Sequence, residues 1–432
     1  MTGSTVRHPS PGEALLVACV QPAAANRPSD AVADLARDVQ LEWTPTVSLA
    51  HWHGVGPRLA RSLVINEVTG AIPRDVDDGL QSGYFATMAR NLALRRELER
   101  IVDELHRHQI DVMVLKGAAL VPLVHHDPGV RPMDDLDLLV HHDDLERADK
   151  VVKAAGYRSS DKTPATAHDD EEHHHLPSLV RSDGAISVEL HHKLGSSGSP
   201  PDFDVAGVWA RAVPFAAGDA TCLRPSDEDL LTHLCLHFLV DRVRLFSRRA
   251  LRQVCDIGAT IDACSETLDW DRLVGDAADR GYAVALALAL GTTAAIVHTP
   301  LPDDVVARLA PDGPSPHGPE MVHRRVLRDP DWTSLERLTA RQPSVLHLLP
   351  PNPRRWSSTD APRPTATRAE GYTEWLAASA RILRRKDEVA AERRFASELQ
   401  ALVFPRGLPD GSRSRRPLRR RVQTRLAASF KD

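Results

Sequence analysis

The stretch Arg131-Pro132-Met133-Asp134-Asp135-Leu136-Asp137-Leu138-Leu139-Val140 decides the fold. From Asp135 onward charged and apolar residues alternate, as a strand with one buried face requires. Side chains along a strand point to opposite faces with period two. Asp135 and Asp137 therefore share one face, and Leu136, Leu138 and Val140 share the other. Two carboxylates on one strand face, backed by an apolar face, make a site for a hard divalent cation.

Working outward, Val112 to Leu115 reads as a second strand, and Lys116-Gly117 marks its abrupt end. There a glycine lets the backbone approach an anion and a lysine supplies a point charge. Arg131, just ahead of the acidic strand, is placed to hold phosphate. Downstream, 174–181 and 185–192 read as a hairpin turning at Ser182-Asp183-Gly184. Its second strand puts Ile186, Val188 and Leu190 on the core face. Ser187, Glu189 and His191 lie on the other, which makes Glu189 a third carboxylate beside the pair. Helical patterns flank these strands. Leu94, Leu98, Ile101 and Leu105 form one stripe of a helix expected from Gly83 to His108, and Leu145, Ala148, Val151 and Val152 form the stripe of another ending at Gly156.

The expected fold is α+β: a small mixed sheet with a helical N-terminal module and a helical C-terminal domain. The segments are a loosely ordered leader and helical module over 1–85, an α/β core over 86–215 and a helical domain over 220–310. A proline-rich linker or wrapping segment over 311–371, a helix over 372–404 and a basic tail over 405–432 follow. In the N-terminal module, a helix capped at Ser29 or Asp30 is expected to carry Leu35, Val39 and Leu41. After Pro225, helices are expected over Asp227–Val240, Arg244–Asp262, Trp270–Arg280, Ala283–Val297 and Asp303–Leu309.

Bulk properties exclude several function classes. A net charge of -5 gives no general pull toward nucleic acid or anionic membranes, and 4% aromatic residues offer no base-stacking surface. Five scattered cysteines, with no C-x-x-C spacing, argue against a disulfide framework or zinc ribbon and fit a reducing, cytoplasmic setting. The longest apolar stretch, Tyr282 to Val297, falls short of the roughly 20 residues that span a bilayer and reads as a buried core helix.

The sequence resembles the uncharacterised nucleotidyltransferase family of the polymerase-β-like superfamily. Leu115-Lys-Gly-Ala-Ala-Leu, Arg131 to Val140, Gly156-Tyr157, His174-His-Leu-Pro and Val188-Glu-Leu-His carry the resemblance. His51-x-His-Gly-Val, Leu230-Leu-Thr-His-Leu-Cys-Leu-His and Leu268-Asp-Trp extend it over roughly residues 30 to 310. It implies that Asp135 and Asp137 are the metal pair, Glu189 the third acidic position and Lys116-Gly117 the nucleotide-binding turn. Two positions depart from the superfamily at large: Lys116-Gly117 stands where Gly-Ser is frequent, and the third acid is Glu rather than Asp.

The implied activity moves a nucleoside monophosphate from a nucleoside triphosphate to an acceptor and releases pyrophosphate. Magnesium or manganese is the expected cofactor, held by Asp135, Asp137 and Glu189, with Glu189 also placed to take the acceptor's proton. Lys116, Gly117, Arg131 and His191 are the expected nucleotide-binding residues. The acceptor, whether small molecule, protein or RNA, is not written in the sequence. An alternative is a regulatory or scaffold protein that binds nucleotide without transfer. A third reading recruits RNA through the arginine-rich tail between Arg406 and Lys431, whose simpler role is a solubilising end. Zinc is disfavoured at His173-His174-His175, because adjacent strand residues face opposite ways. His233 and His237, one helical turn apart, read as packing histidines.

Overall fold

The computed structural model of this chain describes residues 9–22, 27–160, 176–194, 204–244 and 249–311, with the side chains of 240–244 excepted. Two compact units divide the chain, Met1–Leu327 and Arg328–Asp432, and the described residues all fall in the first. The expected helix over 372–404, the basic tail, almost all of the proline-rich segment and the histidine run at 173–175 lie outside the described residues.

Four helices precede the long one: α1 (Pro11–Val20), α2 (Asp30–Ala36), α3 (Trp43–His53) and α4 (Gly56–Ile65). Helix α1 forms where a loose leader was expected. Its start is a capping box in which the Ser10 hydroxyl accepts from the Glu13 amide at 3.2 Å and Glu13 accepts from the Ser10 amide at 2.6 Å. Leu15, Leu16, Cys19 and Val20 are then buried, which outweighs the proline- and alanine-rich composition around them. Helix α2 stops before Val39, which is 99% exposed, so the expected Leu35-Val39-Leu41 stripe does not form; Val32 and Ala36 bury instead.

Helix α5 (Arg74–Arg107) begins at Arg74 rather than Gly83, with Pro73 before it and Asp75 and Asp77 in its first turn, where negative charge suits the helix dipole. Its stripe Leu94, Leu98, Ile101 and Leu105 is buried against one face of the sheet, as its spacing predicts. The strands are β1 (Met113–Val114), β2 (Leu136–Leu139), β3 (Tyr157–Ser159), β4 (Leu179–Arg181), β5 (Ser187–His191), β6 (Val213–Ala217) and β7 (Ala220–Arg224). They form one mixed sheet in the order β3-β4-β5-β2-β1-β7-β6. Strands β2 and β5 run parallel, as do β1 and β7; the other neighbours are antiparallel.

Helix α6 (Lys116–Leu120) follows β1 directly, α7 (Leu145–Ala154) follows β2, and α8 (Val205–Ala210) precedes the β6–β7 hairpin. Helix α7 buries Leu145, Ala148, Val151 and Val152, and Gly156 behind it takes the left-handed φ of 99° expected of a helix-terminating glycine. The alternation read from sequence sorts the two sheet faces. Val114, Leu136, Leu138, Val188 and Leu190 pack with α5 and α7, whereas Met113, Leu115 and Leu139 pack on the opposite face with Val208 of α8. Asp137 shares that second face with Leu139, and Glu189 and His191 join it from β5.

The remaining helices are α9 (Asp227–Arg244), α10 (Ala250–Ala263), α11 (Trp270–Asp279), α12 (Ala283–Val297) and α13 (Val305–Leu309). Helix α12 occupies the predicted residues and buries Leu286, Leu288 and Leu290 completely. It packs against α1, α9 and α10, the place of a core helix. Among the described residues no helix is long and apolar enough to cross a membrane. All five cysteines are buried and free.

Candidate active site

The acidic strand is held by a loop whose backbone is laced to neighbouring elements. Arg90 of α5 donates from Nε to the carbonyl of Met133 (2.9 Å), from Nη2 to that of Asp134 (2.6 Å) and from Nη1 to that of Ala185 (3.0 Å). Asn91, buried beside it, donates to the carbonyls of Pro128 and Arg131 at 2.8 and 2.7 Å. These side chains satisfy carbonyls that no sheet partner reaches, and so fix where β2 begins. In the sequence they pass for ordinary helix-surface residues.

Strand pairing then brings the carboxylates together. In the parallel register of β2 and β5, Asp137 stands directly opposite Glu189 and Leu139 opposite His191. The ligand atoms of Asp137, Glu189 and His191 lie within 4.8 Å of one another. Asp135, one residue before β2, stays outside this tight group, yet it feels the charges of Asp137 and Glu189. Glu189 is thus the close neighbour of Asp137, together with His191.

Lys116 enters from the end of β1. Its Nζ donates to Asp137 Oδ1 at 2.7 Å, and its charge is also felt by Glu189 and Asp135. Its backbone takes a left-handed φ of 45°, a conformation that costs a non-glycine residue about 1–2 kcal/mol. Gly117 is glycine for a contact reason: a Cβ there would lie 2.6 Å from Arg131 Nη1 and 3.0 Å from the Met133 side chain. Arg131 itself does not extend into open space. It is buried, and donates from Nε (2.9 and 3.0 Å) and Nη2 (2.8 Å) to Asp256 of α10. The expected phosphate-holding arginine is thus already committed to a carboxylate, with Nη1 alone facing the Gly117 turn.

Histidine 191 is buried and its Nε2 lies 2.9 Å from the same Asp137 Oδ1. A carboxylate can only accept, so Nε2 carries the proton and donates. Burial pushes the imidazole below its ordinary value, even though the Asp137 hydrogen bond opposes this. Burial works against ionisation of Asp137 as well, but the Lys116 ammonium and the His191 hydrogen bond overcome it and hold that carboxyl well below the usual range. Asp135 lacks such partners. Burial and the neighbouring Asp137 and Glu189 push it up to about 7. Glu189 accepts from the Ser178 hydroxyl at 3.0 Å.

The site fits a hard cation on the evidence of its own lysine: a positive group already sits on Asp137, within reach of the charges of Glu189 and Asp135. His233 of α9 approaches the same group. Burial drives its imidazole well below the ordinary value, and Lys116, His237 and His191 add to the shift while Asp137 opposes it. The pairing of His233 with His237 one turn on was the sequence signal for it. Asp256, which fixes Arg131, had only the signal of one carboxylate inside the apolar run Val254-Cys255-Asp256-Ile257.

The sequence profile of a family described as "Uncharacterised nucleotidyltransferase" matches residues 40–298, more than half of the chain. The chain belongs to that family. The matched span contains Lys116, Asp135, Asp137, Glu189, His191, His233 and Asp256 alike. Among solved structures the chain is similar to an antigenic nucleotidyltransferase-like protein from Paracoccidioides brasiliensis, at 19% identity over 48% of this chain and 96% of that one. The TM-score of 0.29 is too low for an argument to rest on the superposition. No curated protein matches the chain.

Proposed function

We propose that this family member is a metal-dependent nucleotidyltransferase whose centre lies between the Lys116–Gly117 turn and the carboxylates of Asp135, Asp137 and Glu189. The observation that carries the reading is the side-by-side placement of Asp137 and Glu189 on β2 and β5, with the Lys116 ammonium against them. These oxygen donors suit magnesium or manganese, which would supply charge neutralisation for the triphosphate and the departing pyrophosphate.

The protein's own groups then have separable tasks. Lys116 and His191 keep Asp137 ionised, and Lys116 is a point charge at the turn where phosphate would lie. Glu189 has 20% of its side chain exposed, against 6% for Asp137 and 2% for His191, so it is the group an acceptor can meet. An acceptor oxygen attacks the α-phosphorus as the bond to the β-phosphate oxygen breaks. Glu189 takes the acceptor's proton, and pyrophosphate carries away the displaced electron pair. Helix α9, close to the site through His233, forms the wall that selects the acceptor. Five free, buried cysteines suit a reducing, cytoplasmic setting for this chemistry.

One observation favours a second reading, nucleotide binding without transfer: Lys116 already neutralises Asp137. Each of the four triphosphates, labelled at the α-phosphate, incubated with cell extract and magnesium, separates the two. Label passing to an acceptor with pyrophosphate release supports transfer; saturable binding with no release from any triphosphate supports the binder.

A further inference from the structure

Beside the carboxylates in the chain lies a second, partly buried cluster that is rich in arginine. Asp256 is taken by Arg131 and by His125, whose Nε2 is 3.0 Å from Asp256 Oδ1. Asp134 is taken by Arg249 in an ion pair. Arg252, one turn into α10, is left over. Its Nη1 donates to the carbonyl of Pro132 at 3.1 Å, and its buried Nε has no hydrogen-bond partner among the described residues. It has no ion pair with a carboxylate among the described residues, although the charges of Asp256 and Asp134 act on it. Its stem lies on Gly54, the left-handed residue of the His51-x-His-Gly-Val segment, with Cδ 3.5 Å from where a Cβ would stand. Burial, followed by repulsion from Arg249 and Arg131, lowers the guanidinium to about 9. A guanidinium whose Nε is buried and idle is costly unless an anion completes it.

We propose that Arg252 is a phosphate-binding residue that receives the outer phosphates of the nucleoside triphosphate. This deepens the nucleotidyltransferase reading and rests on it. The placement follows the shape of such a substrate. Arg131 touches the Gly117 turn with one nitrogen and binds Asp256 with its others, so the positive cluster continues directly from that turn. Asp134 and Asp135 immediately precede β2 and Asp137 lies in it, with Arg249 paired to Asp134 and Lys116 to Asp137, while the charge of Asp134 also acts on Arg252. On this proposal the α-phosphate of a triphosphate lies at the carboxylates and its β- and γ-phosphates at the arginines. Arg252 is partly open to solvent, and its planar fork matches phosphate oxygens. This arginine comes from the helices after the sheet, so these elements contribute to binding the nucleotide as well as to walling the site.

The test uses the full chain and inorganic tripolyphosphate in the presence of a chelator, which removes both nucleoside and metal from the question. Calorimetry and thermal melts are compared for wild type, Arg252→Met and Arg252→Lys. Wild type is expected to bind and to melt higher with tripolyphosphate. Arg252→Met is expected to lose on the order of tenfold in affinity, with a ligand-free melting temperature no lower than wild type. Arg252→Lys should fall between the two. Absence of binding to wild type overturns the proposal even if Arg252→Met fails to fold, and so does equal binding by all three proteins. Pyrophosphate release from triphosphate is scored separately. Transfer without any Arg252 dependence sinks this inference alone, while Arg252-dependent binding without transfer sinks the enzymatic reading and leaves the phosphate site standing.

Discussion

Two ionic clusters share the segment Arg131 to Asp137, and their signs are opposite. On the strand side Asp135, Asp137 and Glu189 face Lys116, the one lysine against them among the described residues. On the helix side Arg131, Arg249 and Arg252 face Asp134 and Asp256. A protein interior that needed only structural ion pairs would balance each cluster, because an unmatched buried charge destabilises the fold by several kcal/mol. Among the described residues the surplus negative and surplus positive groups are kept a few positions apart in the chain. The metal-bound triphosphate proposed above, with its cation at one end and its phosphate oxygens along its length, would complement both. The difference between the clusters thus describes a ligand more fully than either does alone.

Breaking the acidic cluster should have the largest effect. Asp135→Ala combined with Asp137→Ala is expected to lower metal-dependent pyrophosphate release about a thousandfold or more, several kcal/mol of lost charge stabilisation; full activity in the double variant would sink the mechanism. Breaking the basic cluster at its anion should cost stability first. Asp256→Ala leaves Arg131 buried without its carboxylate and is expected to lower unfolding free energy by about 3–5 kcal/mol, read from urea melts. A smaller step is His191→Gln, which loosens Asp137. Metal affinity, followed by calorimetry with manganese, should weaken about 10- to 100-fold, with little change in fold.

Acid should distinguish the clusters in another way. Arg58 can only donate, and its Nη2 is 2.8 Å from His125 Nδ1, so His125 carries its proton on Nε2 and gives it to Asp256. Protonating Nδ1 would set a second cation against Arg58, with Arg131 also near. Burial, with those arginines, accordingly lowers His125 from 6.5 to about 4, despite the pull of Asp256. The unfolded chain therefore takes up this proton first as pH falls. The contribution of His125 to stability is complete above about 6.5 and is lost between 6.5 and 4. Melting temperature should fall across that window, and His125→Gln should flatten the fall; an equally steep profile in the variant would count against this network. The smallest expected effect is at Gly54→Ala, where φ is 67° and Arg252 is packed alongside. About 1 kcal/mol of stability should be lost, together with a modest weakening of tripolyphosphate binding.

Much of the sheet centre was legible because its signals are local. The alternation in Leu136-Asp137-Leu138-Leu139, the stripe of α5 and the uniform apolar character of α12 each follow from residues a few positions apart. Strands β6 and β7 were not, since Pro214, Ala216, Ala217 and Ala220 are poor strand formers; their pairing with each other and with β1 supplies what propensity does not. In the site, Asp137, Glu189 and Lys116 could be read as a face-and-end pattern. What escaped was everything set by distant contacts: Arg131 turning to Asp256, Arg90 and Asn91 lacing the loop, and Arg252 standing without a carboxylate among the described residues. A sequence displays a charged residue but not the partner that neutralises it.

The short strand β1 also has a consequence for how the chain acquires its site. Met113 pairs with Leu139 on one side and with Leu223 on the other, and the Leu223 amide donates to the Val112 carbonyl at 3.1 Å. The two-residue strand that presents Lys116 is thus clamped by a partner more than a hundred positions later in the chain. Parallel, long-range pairings of this kind form slowly, because loop closure must precede the contacts that reward it. During synthesis the acidic and lysine-bearing strands are complete well before β7 emerges. A nascent chain halted ahead of Ala220 should therefore hold its helices yet leave the lysine turn unanchored, with nucleotide recognition arriving late, once the second half of the sheet has been made.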